Sequence, residues 1–236
     1  MNFVIPMAGE GKRFVSEGYD LPKYLITVKN KSLLEWSVDS LPIKMASKII
    51  FIILKSHEER YNVSGFIKKI YQKKANLDFI FLKNATNGQS ETVLYAWSKI
   101  IKKEKLLIFN IDTNFTSKTL ENNLKKNSDG LIGTFNSNLK RFSYAKIING
   151  IVCETAEKKV ISKNALSGLY VFSDPYFFFN IAKKSIRLKK TIKNEYYIAP
   201  LYNDLIKMKK RIIIDKVKDI NILGTPEELR VFASKK

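Results

Sequence analysis

The stretch PMAGEGKRF, Pro6 to Phe14, closes the first apolar run of the chain with two glycines one residue apart, followed by two cations. Glycine lets backbone come close to a ligand, and Lys12 with Arg13 favours an anionic one, so phosphate is the first expectation. Two familiar phosphate motifs do not fit. A dinucleotide-binding fold wants a third glycine and an immediate helix, whereas Phe14 follows Lys12 and Arg13, and Pro22 precedes any expected helix. A phosphate-loop NTPase wants Gly-Lys-Ser/Thr, and here Arg13 follows Gly11-Lys12. What remains is a long loop, Met7 to Lys23, that displays Arg13 and Lys23 around one strand end. Backbone N–H groups near Gly9 and Gly11 can cradle phosphate oxygens while the two cations neutralise a polyphosphate. A plain strand-to-helix turn is the competing reading.

Outward from that loop, short β-branched runs alternate with helical periods. The pattern predicts strands over Phe3–Ile5, Lys48–Leu54, Phe79–Leu82, Leu106–Ile111, Leu131–Phe135, Ala145–Ile148, Ile151–Glu154, Leu166–Phe172 and Arg211–Val217. It predicts helices near Leu33–Leu41, Glu58–Gln72, Glu91–Lys102, Thr119–Lys125, Tyr176–Lys184, Tyr197–Met208 and Pro226–Phe232. Ser32 with Glu35 reads as a capping box, and Thr225, Pro226 and Glu228 read as another. Alternation through the first half argues for an α/β fold: a Rossmann-like mixed, mostly parallel sheet with helices on both faces. Residues 130–172 read as a β-rich portion within a single domain spanning 1–236.

The chain has 236 residues, 45% of them hydrophobic, enough to bury a proper core. Its one cysteine, Cys153, excludes an internal disulfide and a cysteine metal site. The longest apolar run, Ile49 to Leu54, is too short to span a bilayer, and nothing at the N-terminus resembles a signal peptide, so a soluble, cytoplasmic protein without membrane insertion is expected. The net charge of +20 comes from lysines spread along the whole chain and reads as a compositional bias. Nucleic-acid binding would need stacking aromatics or a known module among the cations, and neither is visible. The charge would still steer anionic small molecules inward.

Six further stretches give the loop a context. It continues GYDLPKYLITVKNKSLLEWSVDSL, and downstream come NGQSETV at 87–93, FNIDTNF at 109–115, AEKKVIS at 156–162, SGLYVF at 167–172, NEYYIAPLYNDLI at 194–206 and LGTPEEL at 223–229. In order and spacing the series resembles the nucleotidylyltransferases that activate sugar phosphates and related phosphorylated building blocks, with its nearest likeness in the capsule and surface-polysaccharide branch. The resemblance covers nearly the whole chain.

Each motif also has a reading of its own. Asp112, just past a buried strand, would enter the crevice at the carboxyl edge of the sheet, where one carboxylate plus phosphate oxygens suits Mg²⁺; a turn cap is the alternative. Asn87, Gly88 and Gln89 form a turn whose amides can read a nucleobase edge, with Gly88 allowing the base to approach, or merely cap a helix. Glu157 and Lys158 are otherwise a solvated charge pair, and Tyr170 a core residue.

The resemblance implies that Met7, Ala8, Gly9, Gly11, Asn87, Gly88 and Gln89 bind nucleotide, with Gln89 reading the base. It implies Arg13 on the β- and γ-phosphates, Lys23 on the α-phosphate and the attacking phosphate, and Asp112 on Mg²⁺. Glu157, Lys158, Gly168 and Glu195 would face the acceptor, Gly168 by allowing close approach. The implied reaction moves NMP from an NTP, with CTP, UTP or dTTP ahead of a purine, to a phosphorylated acceptor such as a sugar 1-phosphate. Relatives of this kind are often homodimers. A cytidylyltransferase acting on a non-sugar phosphate, a glycosyltransferase of similar fold and a non-catalytic relative are the alternatives.

Two positions depart from the family pattern. Ile222 stands where its better-known members carry a second metal-binding aspartate, leaving Asp219, Asp204 or Glu195 as substitutes, and Lys12 replaces a small hydroxyl residue. The single histidine, His57, is expected at a helix start away from every motif.

Overall fold

A computed structural model describes residues 1–235. Nine strands join one sheet, and the first half of the chain builds its parallel side. Strand β1 (Asn2–Pro6) is followed by a helical turn α1 (Lys12–Val15), a small hairpin of β2 (Thr27–Val28) and β3 (Lys31–Ser32), and helix α2 (Leu33–Val38). Strand β4 (Lys48–Leu54) leads through α3 (Lys55–Tyr61) and α4 (Val63–Tyr71) to β5 (Leu77–Leu82), and α5 (Gln89–Leu94) returns to β6 (Leu106–Phe109). These strands lie in the order β5-β4-β1-β6, all parallel.

The second half adds a mostly antiparallel wing. A short strand β7 (Thr113–Thr116) and helix α6 (Leu120–Lys125) precede β8 (Gly130–Asn136), β9 (Tyr144–Ile148), β10 (Ile151–Ala156) and β11 (Asn164–Phe172). Helices α7 (Pro175–Arg187) and α8 (Tyr202–Lys207) follow, then β12 (Ile212–Lys216), β13 (Lys218–Ile222) and α9 (Pro226–Ser234). The sheet continues from β6 as β11-β8-β12-β10-β9, antiparallel at every step except β8–β12. A two-stranded ribbon of β7 and β13 stands apart from it.

Period-two alternation along apolar strands gives the sheet two buried faces. Ile49, Phe51 and Ile53 pack against Leu34, Val38, Val63, Ile67 and Tyr71 on one side. Ile50, Ile52 and Leu54 face Val93, Phe178, Phe179, Tyr202 and Leu205 on the other. Burying one such side chain contributes roughly 1.5–3 kcal/mol, so the helices cannot exchange faces without loss. The chain leaves β1 toward the face of α2 and α4 but enters β6 from the face of α5, so β1 and β6 part at a switch point, where a crevice opens beyond their carboxyl ends.

Several boundaries differ from the sequence reading for local reasons. The helix expected over Glu58–Gln72 breaks at Asn62, which takes a left-handed φ of 46° and caps α4 through a bond from Gly65 N at 3.3 Å. The helix expected from Tyr197 begins as a 3₁₀ turn over Ala199–Leu201 and becomes α-helical at Tyr202, since Pro200 has no N–H to give. The one expected over Glu91–Lys102 tightens to a 3₁₀ turn over Tyr95–Ser98. A helical turn does precede Pro22: Gly11, at φ 67°, caps α1. The ribbon strands are too short to show a period. Ser32 and Glu35 form the full capping box. At α9, Thr225 accepts from Glu228 N, but the Glu228 carboxylate reaches back to Gly224 N at 3.0 Å.

Candidate active site

The crevice is a cleft of about 690 Å³, within the ordinary size of a small-molecule site. Every residue expected to bind nucleotide, acceptor or metal lines it except Gly11, which is spent on capping α1. Its walls come from distant segments: the loop after β1, the turn before α5, the loop after β6, the β-rich portion, the segment between α7 and α8, and the start of α9.

The first wall is built on β1. Met7 N donates to Ile52 O at 2.9 Å, continuing the ladder one residue past the strand, and Met7 and Ala8 are buried. Gly9 follows at the edge of the open space; a Cβ there would meet no atom within 4 Å. Such a bare backbone can admit a phosphate against its N–H groups. Arg13 lies on α1 and Lys23 opens a 3₁₀ turn, Lys23–Leu25.

Across the switch point Lys23 Nζ donates to Asp112 Oδ2 at 2.7 Å, with the two side chains 21% and 27% exposed. Burial would push the Asp112 carboxyl up, but the charge and hydrogen bond of Lys23, with the charge of Arg13, hold it below the ordinary aspartate value. Asp112 is therefore ionised at neutral pH and partly open to the cleft. Mg²⁺ keeps most of its waters and needs one or two carboxylates beside phosphate oxygens, which Asp112 meets. Among the described residues no group of three or more His, Cys, Asp or Glu side chains gathers as a metal cage. Ile222 lies in the cleft wall, paired with Thr113 between β13 and β7. Asp219 and Asp204 lie outside the wall, Asp219 accepting from Thr116 Oγ1 at 2.6 Å. Glu195 lines the cleft. Glu228, read from the sequence only as a helix-capping residue, also lines it, in an ion pair with Arg141.

Two glycines do something other than expected. Gly88 has φ 123°, and a Cβ there would stand 2.5 Å from Tyr196 N, so the close approach it allows is to backbone of this chain rather than to a base. That packing ties the turn down: Tyr196 N donates to Asn87 O at 2.7 Å and Ser90 N to Tyr196 O at 3.0 Å. At Gly168, φ 84°, a Cβ would stand 2.7 Å from Asn110 Cγ, so its missing side chain makes room for Asn110 rather than for an acceptor. The Asn110 oxygen in turn accepts from Gln89 Nε2. One chain of contacts thus links the turn before α5, the Asp112 loop and β11.

On the β-rich side, the Ser143 hydroxyl donates to the Glu157 carboxylate and Lys158 Nζ donates to the Tyr197 hydroxyl. Burial pushes Glu157 up and Glu195 adds to this, while the Ser143 hydrogen bond and Lys158 oppose it. Tyr170 is 5% exposed yet lines the cleft, so it serves core and site together. His57 is not remote from the motifs: its Nδ1 shares a 2.9 Å hydrogen bond with the buried Tyr24 hydroxyl, one residue from Lys23. Helix α3 also takes hold of the loop at Asp20, whose carbonyl accepts from Tyr61 Oη at 2.7 Å. No sequence signal marked Arg141, Phe142 or Ser143, and Glu228 was marked only as a helix-capping residue, because their joining of the site depends on folding alone.

No protein-family model matches the chain, and no curated protein matches it. Solved structures do. The nucleoside-diphosphate-sugar pyrophosphorylase of Vibrio cholerae RC9 is 28% identical with a TM-score of 0.85, the match covering 99% of this chain and 100% of that one. UDP-glucose pyrophosphorylase in complex with UDP-glucose is 18% identical at TM-score 0.80, covering 100% and 99%. The inositol-1-phosphate CTP transferase of T. maritima is 13% identical at TM-score 0.74, covering 96% and 90%. The last two speak for the fold alone. The nucleotidylyltransferase resemblance carried by the motifs thus holds in the three-dimensional fold over the whole chain, and no described helix is long and apolar enough to cross a membrane.

Proposed function

We propose that this nucleotidyltransferase transfers NMP from a pyrimidine nucleoside triphosphate to a phosphorylated acceptor, releasing pyrophosphate. The observation that carries the reading is the Lys23–Asp112 pair, which sets a cation and an ionised carboxylate side by side at the switch point between β1 and β6. An oxygen of the acceptor's phosphate attacks the α-phosphorus, the bond to the oxygen bridging α and β breaks, and its electron pair leaves with pyrophosphate. No protein nucleophile takes part, so positioning and charge neutralisation supply the rate. Lys23 neutralises the α-phosphate and the attacking phosphate, Arg13 neutralises the leaving phosphates, and the backbone around Gly9 cradles them. Asp112 would hold a magnesium ion, which when bound supplies charge neutralisation among the phosphate oxygens. Asn87 and Gln89 face the base, and Glu157, Lys158 and Glu195 the acceptor.

The sugar 1-phosphate acceptor, a surface-polysaccharide role, a cytoplasmic setting and a homodimer rest on the sequence resemblance. Ile222, in place of an aspartate, favours one other reading, a relative that binds nucleotide without turning it over. A thermal-shift screen with CTP, UTP, dTTP, GTP and ATP, with and without Mg²⁺, names the donor: ligand at about a hundred times its dissociation constant stabilises by roughly 2.7 kcal/mol. Pyrophosphate release with glucose 1-phosphate, myo-inositol 1-phosphate or phosphocholine then separates the two readings. Nucleotide binding without release from any of the three supports the non-catalytic relative.

A further inference from the structure

Arg141 and Glu228 meet in the cleft although 87 positions separate them. Arg141 lies in the loop between β8 and β9, Glu228 lies in the first turn of α9, and their side chains form an ion pair. Glu228 is 13% exposed and Arg141 50%, so the carboxylate is the fixed partner and the guanidinium the one open to the cleft. The other Glu228 oxygen is committed, accepting from Gly224 N at 3.0 Å.

This pair stands beside the proposed reaction centre. A Cβ on Gly224 would lie 3.3 Å from Asp112 Oδ2 and 3.5 Å from Glu228 Oε2, so the two carboxylates flank one point of the chain. The cleft therefore carries two acidic groups near each other, each neutralised by one cation: Asp112 by Lys23 and Glu228 by Arg141. The cations come from opposite sides, Lys23 from the loop after β1 and Arg141 from the β-rich wing. The other cleft cation of that wing, Lys158, is engaged by the Tyr197 hydroxyl and ring. The Arg141 guanidinium lies 4.7 Å from the Phe142 ring centroid, and that ring packs edge-on against Phe135 at 5.1 Å. It is thus oriented before any ligand arrives.

A phosphomonoester entering from the β-rich side brings two negative charges toward Asp112 and Glu228. It needs a cation on its own side, close to those carboxylates and free to trade partners. A guanidinium suits this, since its planar fork offers paired N–H donors to a carboxylate or a phosphate with the same geometry. We propose that Arg141 binds the phosphate of the acceptor, and that Glu228 is the positioning residue that holds the guanidinium ready until that phosphate replaces it. The assignment rests on the reading of the β-rich wing as the acceptor side.

The test compares wild type with Arg141→Ala, Arg141→Lys, Glu228→Gln and the double variant Arg141→Ala/Glu228→Gln. Calorimetric titrations use glucose 1-phosphate, myo-inositol 1-phosphate, phosphocholine and inorganic phosphate, on enzyme loaded with Mg²⁺ and an unreactive α,β-methylene analogue of the donor. Arg141→Ala should weaken the best-bound phosphate at least about tenfold, the scale of one charge-assisted pair, while changing analogue affinity less than about twofold. Arg141→Lys should recover only part, having lost the fork. Glu228→Gln keeps an acceptor for Gly224 N and frees the guanidinium, so it should tighten phosphate binding several-fold, and this gain should vanish in the double variant. Where an acceptor turns over, its KM should rise in Arg141→Ala more than kcat falls. Unchanged phosphate affinity in Arg141→Ala, an equal loss for the analogue, or failure of wild type to bind any of the four overturns the assignment. Phosphate binding that responds as expected while no pyrophosphate is released sinks the catalytic reading and leaves this one standing.

Discussion

Lys23 Nζ donates to Asp112 Oδ2 at 2.7 Å, across 89 positions of sequence, and so joins the end of the loop after β1 to the loop after β6. One residue comes from each side of the switch point, so the pair exists only when the sheet is assembled around it. Lys23→Ala and Asp112→Ala are each expected to lower turnover at least about a hundredfold with the fold retained, the scale of removing a preorganised electrostatic group. Pyrophosphate release, read beside circular dichroism, checks this. Near-wild-type rates in both variants would remove these residues from the mechanism.

Gly9 and Gly88 predict opposite outcomes for the same substitution. Gly9→Ala places its Cβ in open cleft, so thermal stability should stay within about 0.5 kcal/mol of wild type while nucleotide affinity falls. Gly88→Ala forces a methyl against Tyr196 backbone at a left-handed φ, costing more than about 1 kcal/mol and lowering Tm measurably. Equal Tm values for the two variants would contradict the placement of these turns.

His57→Ala strands the buried Tyr24 hydroxyl. Leaving one such group unpaired costs about 1–3 kcal/mol, which for a domain of this size lowers Tm by roughly 2–12 °C. Adding Tyr24→Phe removes the stranded group and should recover part of the loss. Differential scanning calorimetry of wild type, the single variants and the double variant measures the coupling, and strict additivity would show that the bond contributes nothing.

Glu157 gives a pH signature. Its carboxyl is raised above the ordinary glutamate value in the folded protein, so its ionisation opposes folding: the contribution is neutral below the unfolded value near pH 4.3 and becomes a penalty as pH rises through the folded value. Glu157→Gln removes the penalty. The variant should melt above wild type at pH 7, and the difference should shrink as the buffer is taken below about pH 4. A difference that grows in acid would reverse the sign and the burial argument with it.

Much of this protein was legible before folding because much of it is local. Unbroken apolar runs along Lys48–Leu54 and Leu106–Phe109 mark strands buried on both faces; the Ser32–Glu35 box fixes a helix start; alternation of such segments implies a layered α/β fold. Motif order then brought the candidate residues into one family pattern, and all but Gly11 line one cleft. What the sequence could not determine is which atoms meet across it. Gly88 and Gly168 looked like openings for ligands, but Tyr196 and Asn110 fill those spaces. His57 looked remote and touches Tyr24; Arg141 carried no signal, Glu228 only that of a helix cap, and the two form an ion pair beside Asp112. Periodicity and caps are written within a few residues of each other, so the chain alone determines them. A contact between positions tens of residues apart is decided by how the sheet orders its strands and where its connections cross from one face to the other, and only the tertiary structure holds that information.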